Sequence, residues 1–145
     1  MKYHFRVHRE KRGGFWAECV ELKGCLTQGD TMDGLVANMQ EVLSLFLDEP
    51  EDSRLVFTLP KKRVQGKNII AVPVSPRVAF SFAMRRIRLL NRLTQRQAAD
   101  RIGLSGSLTT YQRLEKSSTA NPEFETIVKI KRAFPELALD ELAKL

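Results

Sequence analysis

The chain has 145 residues, 43% of them apolar and 28% charged, which is typical of soluble globular proteins and excludes a disordered or collagen-like chain. Its longest uncharged apolar-rich runs, such as Ile69 to Val74, are too short to cross a bilayer, and its N-terminus lacks the basic-then-apolar pattern of a signal peptide. The net charge of +7 is uneven, because residues 1–75 carry 11 basic and 10 acidic side chains whereas residues 76–145 carry 13 and 7.

Two strands joined by a hairpin are predicted at the N-terminus. Apolar and polar side chains alternate from Lys2 to His8, as a half-buried strand requires. The polar segment Arg9–Gly14 ends in Gly-Gly and predicts a hairpin loop, and Phe15–Val20 predicts the second strand. His4 and His8 share one face without a carboxylate at close spacing, so we interpret that face as solvated rather than as a metal or acid–base site.

The two cysteines, Cys19 and Cys25, are separated by five residues, a spacing that matches no zinc signature. An intracellular chain keeps such thiols reduced. We therefore interpret both as small core or sheet residues, and we expect neither a metal nor a cofactor.

A short strand and a long helix are predicted next. Cys25–Gln28 is long enough for a strand, and Gly29–Thr31 predicts a turn that caps the following helix. Apolar residues recur at helical spacing over Met32–Leu47, which predicts a helix that packs on the sheet. The acidic segment Asp48–Ser53 contains a proline and ends that helix.

Two further strands are predicted, at Leu55–Leu59 and Asn68–Val74, around a basic loop that contains Lys61-Lys62-Arg63. Residues 1–75 therefore form an α+β domain in our prediction, and residues 76–145 form a second, all-α domain.

Ser75-Pro76 has the form of an N-cap followed by proline, which predicts the start of a helix. An apolar line along this helix predicts one packed face. A basic line predicts a second face that meets solvent or phosphate, and Arg85 and Arg88 on this line are the candidates for phosphate contact. The apolar line is Ala79, Ala83, Ile87 and Leu90, and the basic line is Arg77, Ser81, Arg85, Arg88 and Arg92.

A helix-turn-helix is predicted from Leu93 to Pro122. Thr94 and Gln97 have the spacing of a capping box that starts a helix, and Gly103 ends it because glycine adopts the left-handed conformation without a Cβ penalty. Ser105 or Ser107 then caps a second helix. Three apolar residues, Leu108, Tyr111 and Leu114, lie on one face of that helix.

The outward side chains of the second helix are short or planar hydrogen-bonding groups, of the kind that contact base edges in a major groove. Two short packed helices of any helical bundle are the alternative interpretation. The candidate DNA-binding residues of this segment are Gln95, Arg96, Ser107, Thr109, Thr110, Gln112 and Arg113.

A third amphipathic helix, Glu123 to Phe134, follows the Asn121-Pro122 break, and a short helix is predicted over Leu137–Leu145, where Leu139, Leu142 and Leu145 are apolar. With these features, the segment from about Leu93 to Leu142 resembles the DNA-binding domain of the Cro and phage-repressor type. Its turn and second helix are two residues longer than that pattern, and Gln97-Ala98 replaces the common acidic-plus-leucine pair.

The order of the N-terminal elements, together with the string Gly24-Cys25-Leu26-Thr27-Gln28-Gly29-Asp30 and a later strand that ends Val72-Pro73-Val74-Ser75, resembles the HicB antitoxin family. That resemblance implies a degenerate ribonuclease-H-like N-terminal domain that neutralises a toxin, followed by a DNA-binding domain.

The same resemblance implies that the partner is a HicA-type toxin, a small ribonuclease, and that the protein represses its own operon in the cytoplasm, at the nucleoid. Symmetric dimers or tetramers are expected on double-stranded operator DNA, because one helix-turn-helix contacts few base pairs. A basic toxin would meet acidic residues. The candidate toxin-binding residues are Glu18, Glu21, Asp48, Glu49, Glu51 and Asp52.

Two alternatives stay open at this point. A ribonuclease-H-type site would need converging carboxylates, for which Glu18, Asp30, Asp33 and Glu41 are candidates, but Asp30 and Asp33 are already accounted for as turn and helix-start residues. We therefore expect no enzymatic activity. The other alternative is a free-standing repressor whose N-terminal domain senses a ligand or only dimerises.

Overall fold

A computed structural model describes residues 1–104 and 106–144 and divides the chain into two compact units. The first unit contains residues 1–47, 57–75 and Lys144, and the second contains residues 48–56 and 76–143. The acidic segment after the long helix thus belongs to the second unit.

The first unit is a four-stranded antiparallel sheet with one helix, and it confirms the predicted order of three strands, a helix and a final strand. The strands lie in the order β3-β2-β1-β4 across the sheet. The elements are β1 Lys2–Arg9, β2 Phe15–Cys19, β3 Leu26–Gly29, α1 Met32–Leu47 and β4 Ile69–Pro73.

One face of this sheet is covered by α1. Alternation along β1 buries Tyr3, Phe5 and Val7 on that face, and a leucine and methionine line from α1 packs in the same core. A fully buried side chain of this size contributes about 1.5–3 kcal/mol. The α1 residues with at most 1% exposure are Leu35, Met39, Leu43 and Leu47.

Gly29 is required where β3 approaches the start of α1. A Cβ at this position would lie 2.7 Å from the backbone nitrogen of Leu35, a separation at which the backbone would have to shift. The turn that precedes α1 therefore depends on a glycine for space.

The predicted strand at Leu55–Leu59 is wrong. The segment is extended but pairs with no strand of the described residues. It is held through Thr58, whose carbonyl accepts a hydrogen bond from the Tyr3 hydroxyl at 2.7 Å and whose hydroxyl donates to the Glu21 carbonyl at 2.9 Å. Strand-like composition alone therefore did not make this segment part of the sheet.

The second unit is helical, so the predicted α+β fold class is confirmed for the chain. Its core contains Met84, Ala98, Tyr111, Ile130 and Phe134, all buried. The last helix is shorter than predicted, and Leu145 lies outside the described residues. The helices are α2 Pro76–Leu90, α3 Gln95–Ile102, α4 Leu108–Leu114, α5 Phe124–Ala133 and α6 Leu139–Leu142.

None of the helices in residues 1–104 and 106–144 has the length and apolar character that a membrane crossing requires.

Candidate nucleic-acid interface

The first helix of the predicted helix-turn-helix, α3, is closed at both ends as the sequence indicates. The Thr94 side chain accepts a hydrogen bond from the Gln97 backbone N–H at 3.1 Å, and the Gln97 side chain accepts one from the Thr94 N–H at 2.8 Å. This reciprocal pair confirms the capping box. Gly103 ends the helix at φ 84° and ψ 28°, in the left-handed region.

The second helix, α4, is capped by Ser107. Its hydroxyl oxygen accepts a hydrogen bond from the Thr110 backbone N–H at 3.1 Å and lies 2.7 Å from the Thr110 hydroxyl. The alternative cap, Ser105, lies outside the described residues. Tyr111 and Leu114 are buried, which confirms the inward face for these two residues.

The outward face of α4 presents Thr109, Thr110 and Arg113, all exposed, and Gln112, which is half-buried. Arg96 on α3 is exposed as well. Hydroxyl, amide and guanidinium groups at these positions have the donor and acceptor capacity that direct contact with base edges requires.

Behind that face lies a buried polar network centred on Glu115, the residue that ends α4. The Glu115 carboxylate accepts hydrogen bonds from Arg88 Nε at 2.5 Å and Nη2 at 3.0 Å, and from the Tyr111 hydroxyl at 2.6 Å. Gln95 Nε2 donates to the same carboxylate at 3.1 Å, and Gln112 Nε2 donates to Gln95 Oε1 at 3.1 Å. The network therefore ties α2, α3 and α4 together directly under the exposed side chains.

The electrostatics of this network favour its charged form. Burial alone would lower the pKa of Arg88, but the hydrogen bonds and charge of Glu115 outweigh burial and raise it. Burial, reinforced by the Glu115 charge, raises the pKa of Tyr111 far above its ordinary value. Tyr111 therefore stays a neutral donor, and Arg88 and Glu115 form a buried ion pair with side chains 8% and 4% exposed.

The expectation that Arg85 and Arg88 contact phosphate is corrected by this burial. Arg88 is 6% exposed and faces Glu115, and Arg85 is 4% exposed and donates from Nη1 to the Glu49 carbonyl at 3.1 Å. Burial lowers the pKa of Arg85. Both guanidinium groups are therefore buried in the second unit, where they stabilise it through these contacts. Of the predicted basic line, Arg77 and Arg92 are exposed, whereas Ser81 is buried.

Two of the candidate toxin-binding carboxylates lie in the first unit. Glu18 is partly exposed on β2, with its Oε1 3.2 Å from His8 Nε2. Glu21 is not available at the surface: its side chain is 1% exposed, and its carboxylate lies 2.6 Å from His4 Nδ1 and accepts the His4 backbone N–H at 3.0 Å. The expected role of Glu21 in a surface contact is therefore corrected.

These contacts also correct the interpretation of the histidine face. Each histidine does have a carboxylate partner. The partner lies on β2 or just after β2, so the spacing of residues along β1 does not reveal the pair. Among the described residues no group of three or more histidine, cysteine, aspartate or glutamate side chains is placed to hold a metal ion.

The other four candidate toxin-binding residues belong to the second unit. Asp48 accepts a hydrogen bond from the Ser117 hydroxyl at 2.9 Å, and Glu51 and Asp52 are exposed. Glu49 is half-buried. Together with neighbouring residues this segment lines a shallow pocket of about 340 Å³. The lining residues are Asp48, Glu49, Pro50, Glu51, Arg85, Glu115 and Lys116.

The carboxylates considered for a nuclease site come from β2, which carries Glu18, and from α1 and the turn before it. Asp30 precedes α1, Asp33 is in its first turn, and Glu41 is exposed further along it. Cys19 and Cys25 are both buried and unpaired by a disulfide, as core residues.

Glu115 is the functional-region residue whose role the sequence analysis missed. It follows Tyr111 by four residues, which places it on the buried face of α4, and a carboxylate on that face needs a buried cation. This need for a buried cation was the sequence signal that pointed to Arg88, which lies 27 residues earlier in the chain.

The chain is similar to known proteins of two kinds. The helix-turn-helix family matches residues 84–142. Two UPF0150 proteins of Synechocystis sp. (strain ATCC 27184 / PCC 6803 / Kazusa) are also similar. The protein ssr1258 is 36% identical over 51 residues, 35% of this chain and 74% of that protein. The protein ssr1765 is 40% identical over 48 residues, 32% of this chain and 61% of that protein. The chain belongs to the UPF0150 family, and it carries a helix-turn-helix DNA-binding domain at residues 84–142.

Proposed function

We propose that this protein is a HicB-type antitoxin, which binds a HicA-type RNA-cleaving toxin and represses its own operon. The observation that carries the proposal is the helix-turn-helix, with Thr109, Thr110 and Arg113 exposed above a fully bonded network. Membership of the UPF0150 family and the Gly24–Asp30 string support the antitoxin part.

Repression follows from the helix-turn-helix if α4 enters the major groove. Arg113 suits guanine and Gln112 suits adenine, and the Gln95 amide that holds Gln112 limits its rotation. Because one α4 contacts few base pairs, two copies of the chain would bind two half-sites.

Toxin binding follows from charge. An RNA-cleaving partner needs a basic surface for its substrate, and exposed carboxylates would attract that surface and speed association. The carboxylates that fit this role are Asp48, Glu51 and Asp52, which are exposed; Glu18 fits it less well, because it is engaged by His8. In this proposal the protein blocks the toxin by covering it and has no hydrolytic role of its own.

The test is co-expression with the product of the adjacent open reading frame. We expect the neighbour alone to stop growth, and we expect this protein to restore growth and to co-purify with it. The matched variant Arg113→Ala should still restore growth while a reporter under the operon promoter is derepressed, because the substitution affects only the DNA contact.

An inert neighbour and no complex would contradict the antitoxin role. Repression of the reporter in that case would favour a free-standing repressor, whereas loss of both activities would contradict the whole proposal.

A further inference from the structure

The face of the sheet that does not carry α1 has an unusual composition at its hairpin end. Cross-strand pairing places His8 beside Trp16 and Arg6 beside Glu18 on this face. The hairpin that joins β1 to β2 adds Lys11 and Arg12. We call this set the basic-aromatic face; its members are Arg6, His8, Lys11, Arg12 and Trp16. Arg9 alternates to the opposite face of β1, where its guanidinium lies 5.5 Å from the Phe15 ring centroid.

The aromatic part of the face is preformed. The rings of His8 and Trp16 are stacked, with centroids 4.0 Å apart and planes 16° from parallel. The His8 ring is also held by Glu18, whose Oε1 lies 3.2 Å from His8 Nε2. The His8 side chain is 34% exposed, and Trp16 is partly exposed. An oriented aromatic pair at a surface can accept a further flat ring without first losing rotational freedom.

The cationic part comes from β1 and the adjoining hairpin. Arg6, Lys11 and Arg12 are all exposed, and none of them forms an ion pair within 4 Å in the part of the chain that the structure describes. The nearby carboxylate of Glu18 is engaged by His8. Three cations beside a single further acid, Glu10, leave a local positive excess in an otherwise nearly neutral half of the chain.

We propose that the basic-aromatic face binds single-stranded nucleic acid. Unpaired bases stack on exposed aromatic rings, and guanidinium and ammonium groups bind the phosphates between them. A sheet face of this kind fits an unpaired strand better than a duplex, whose bases are stacked on one another. A basic protein surface, such as that of an RNA-cleaving toxin, would be repelled by these cations, so the face is distinct from the acidic surface proposed for the toxin.

The chain contains one tryptophan, so its intrinsic fluorescence reports directly on this face. The full-length variant Arg96→Ala/Arg113→Ala, which weakens the helix-turn-helix contact, is titrated with a single-stranded oligouridine, an oligothymidine and a DNA duplex of equal length. We expect the single strands to quench the Trp16 emission and the duplex to leave it unchanged.

Variants locate the contacts in the same background. The plot of log affinity against log salt has a negative slope, and Lys11→Ala/Arg12→Ala should make this slope shallower by about 1.4, because each cation on a single strand contributes about 0.7. Lys23→Ala/Lys62→Ala is the matched control, since both lysines are exposed and lie outside the face, and it should leave the slope within error.

Trp16→Leu should weaken binding of a labelled oligouridine on the order of tenfold, the effect of losing one stacked base, and Trp16→Phe should retain most of it. Thermal unfolding of each variant checks that the domain is intact.

Unchanged Trp16 emission with a folded protein would overturn the proposal, as would equal affinity of Trp16→Leu and the parent. Protection of Trp16 by a co-purified protein instead of an oligonucleotide would also overturn it and would identify the face as a protein contact.

Discussion

At the scale of single residues, the most consequential contact is the ion pair between Arg88 and Glu115. Burying two charges is favourable only when geometry and further hydrogen bonds compensate for lost hydration. Here the carboxylate accepts four hydrogen bonds, from Arg88 twice, Tyr111 and Gln95, so the compensation is complete on the acid side.

We expect Glu115→Gln to lower the free energy of unfolding by about 3 kcal/mol, because it leaves the Arg88 charge buried without a counter-ion. Chemical denaturation monitored by circular dichroism measures the change. Glu125→Gln, at an exposed position of α5, is the control and should change stability by less than about 0.5 kcal/mol.

The double variant Arg88→Met/Glu115→Leu sharpens this prediction. It removes both charges, so its loss of stability should be clearly smaller than the sum of the two single losses. Additive losses would mean that the two residues do not stabilise the fold as a pair.

Sequence reasoning placed Arg88 on the wrong side for a physical reason. The spacing of arginines along α2 is that of a solvated face, and periodicity within one helix contains no information about a carboxylate 27 residues away. Thr109 and Arg113 were placed correctly, because on α4 the buried face is marked by Tyr111 and Leu114.

At the scale of elements, α3 depends on its caps, since it has eight residues, and isolated helices of that length are unstable. The capping box at Thr94 and the left-handed Gly103 satisfy backbone groups that would otherwise be unpaired. Both were predictable, because capping is local and involves residues at fixed spacing.

Thr94→Ala should therefore cost about 1 kcal/mol of stability, visible as a lower midpoint of denaturation with an unchanged slope. Thr109→Ala, at an exposed position within α4, serves as the comparison and should be nearly neutral. Equal effects of the two threonines would show that the Thr94 cap makes no specific contribution.

The segment around Leu55–Leu59 shows the limit of local prediction. Its residues, mostly β-branched, aromatic or leucine, are of types common in strands, but a strand also needs a neighbouring strand with free backbone groups. That condition depends on where β1 and β4 pair, which no local window of sequence contains.

At the scale of the whole molecule, the positive charge lies mainly in the half of the chain for which the operator contact is proposed. The second half of the chain carries +6 of the net charge of +7 and includes the helix-turn-helix at residues 84–142. The proposed operator contact and the proposed single-strand contact therefore belong to different parts of the chain.

Two copies on one operator would fix the distance between half-sites. We expect that inserting half a helical turn, about 5 base pairs, between the half-sites abolishes tight binding, and that inserting a full turn of about 10 base pairs restores part of it. Gel-shift titration at constant salt measures both. Binding that does not depend on the spacing would contradict a symmetric pair of α4 helices on the operator.

The arrangement of α4 also has an evolutionary consequence. The residues that hold the helix, Tyr111, Leu114 and Glu115, are buried, whereas Thr109 and Arg113 are exposed. In the proposed function, substitutions at these two exposed positions would change operator preference at little cost in folding. After a gene duplication, two such regulators in one genome could therefore come to bind different promoters in a few mutational steps. Every intermediate sequence on that route would still fold.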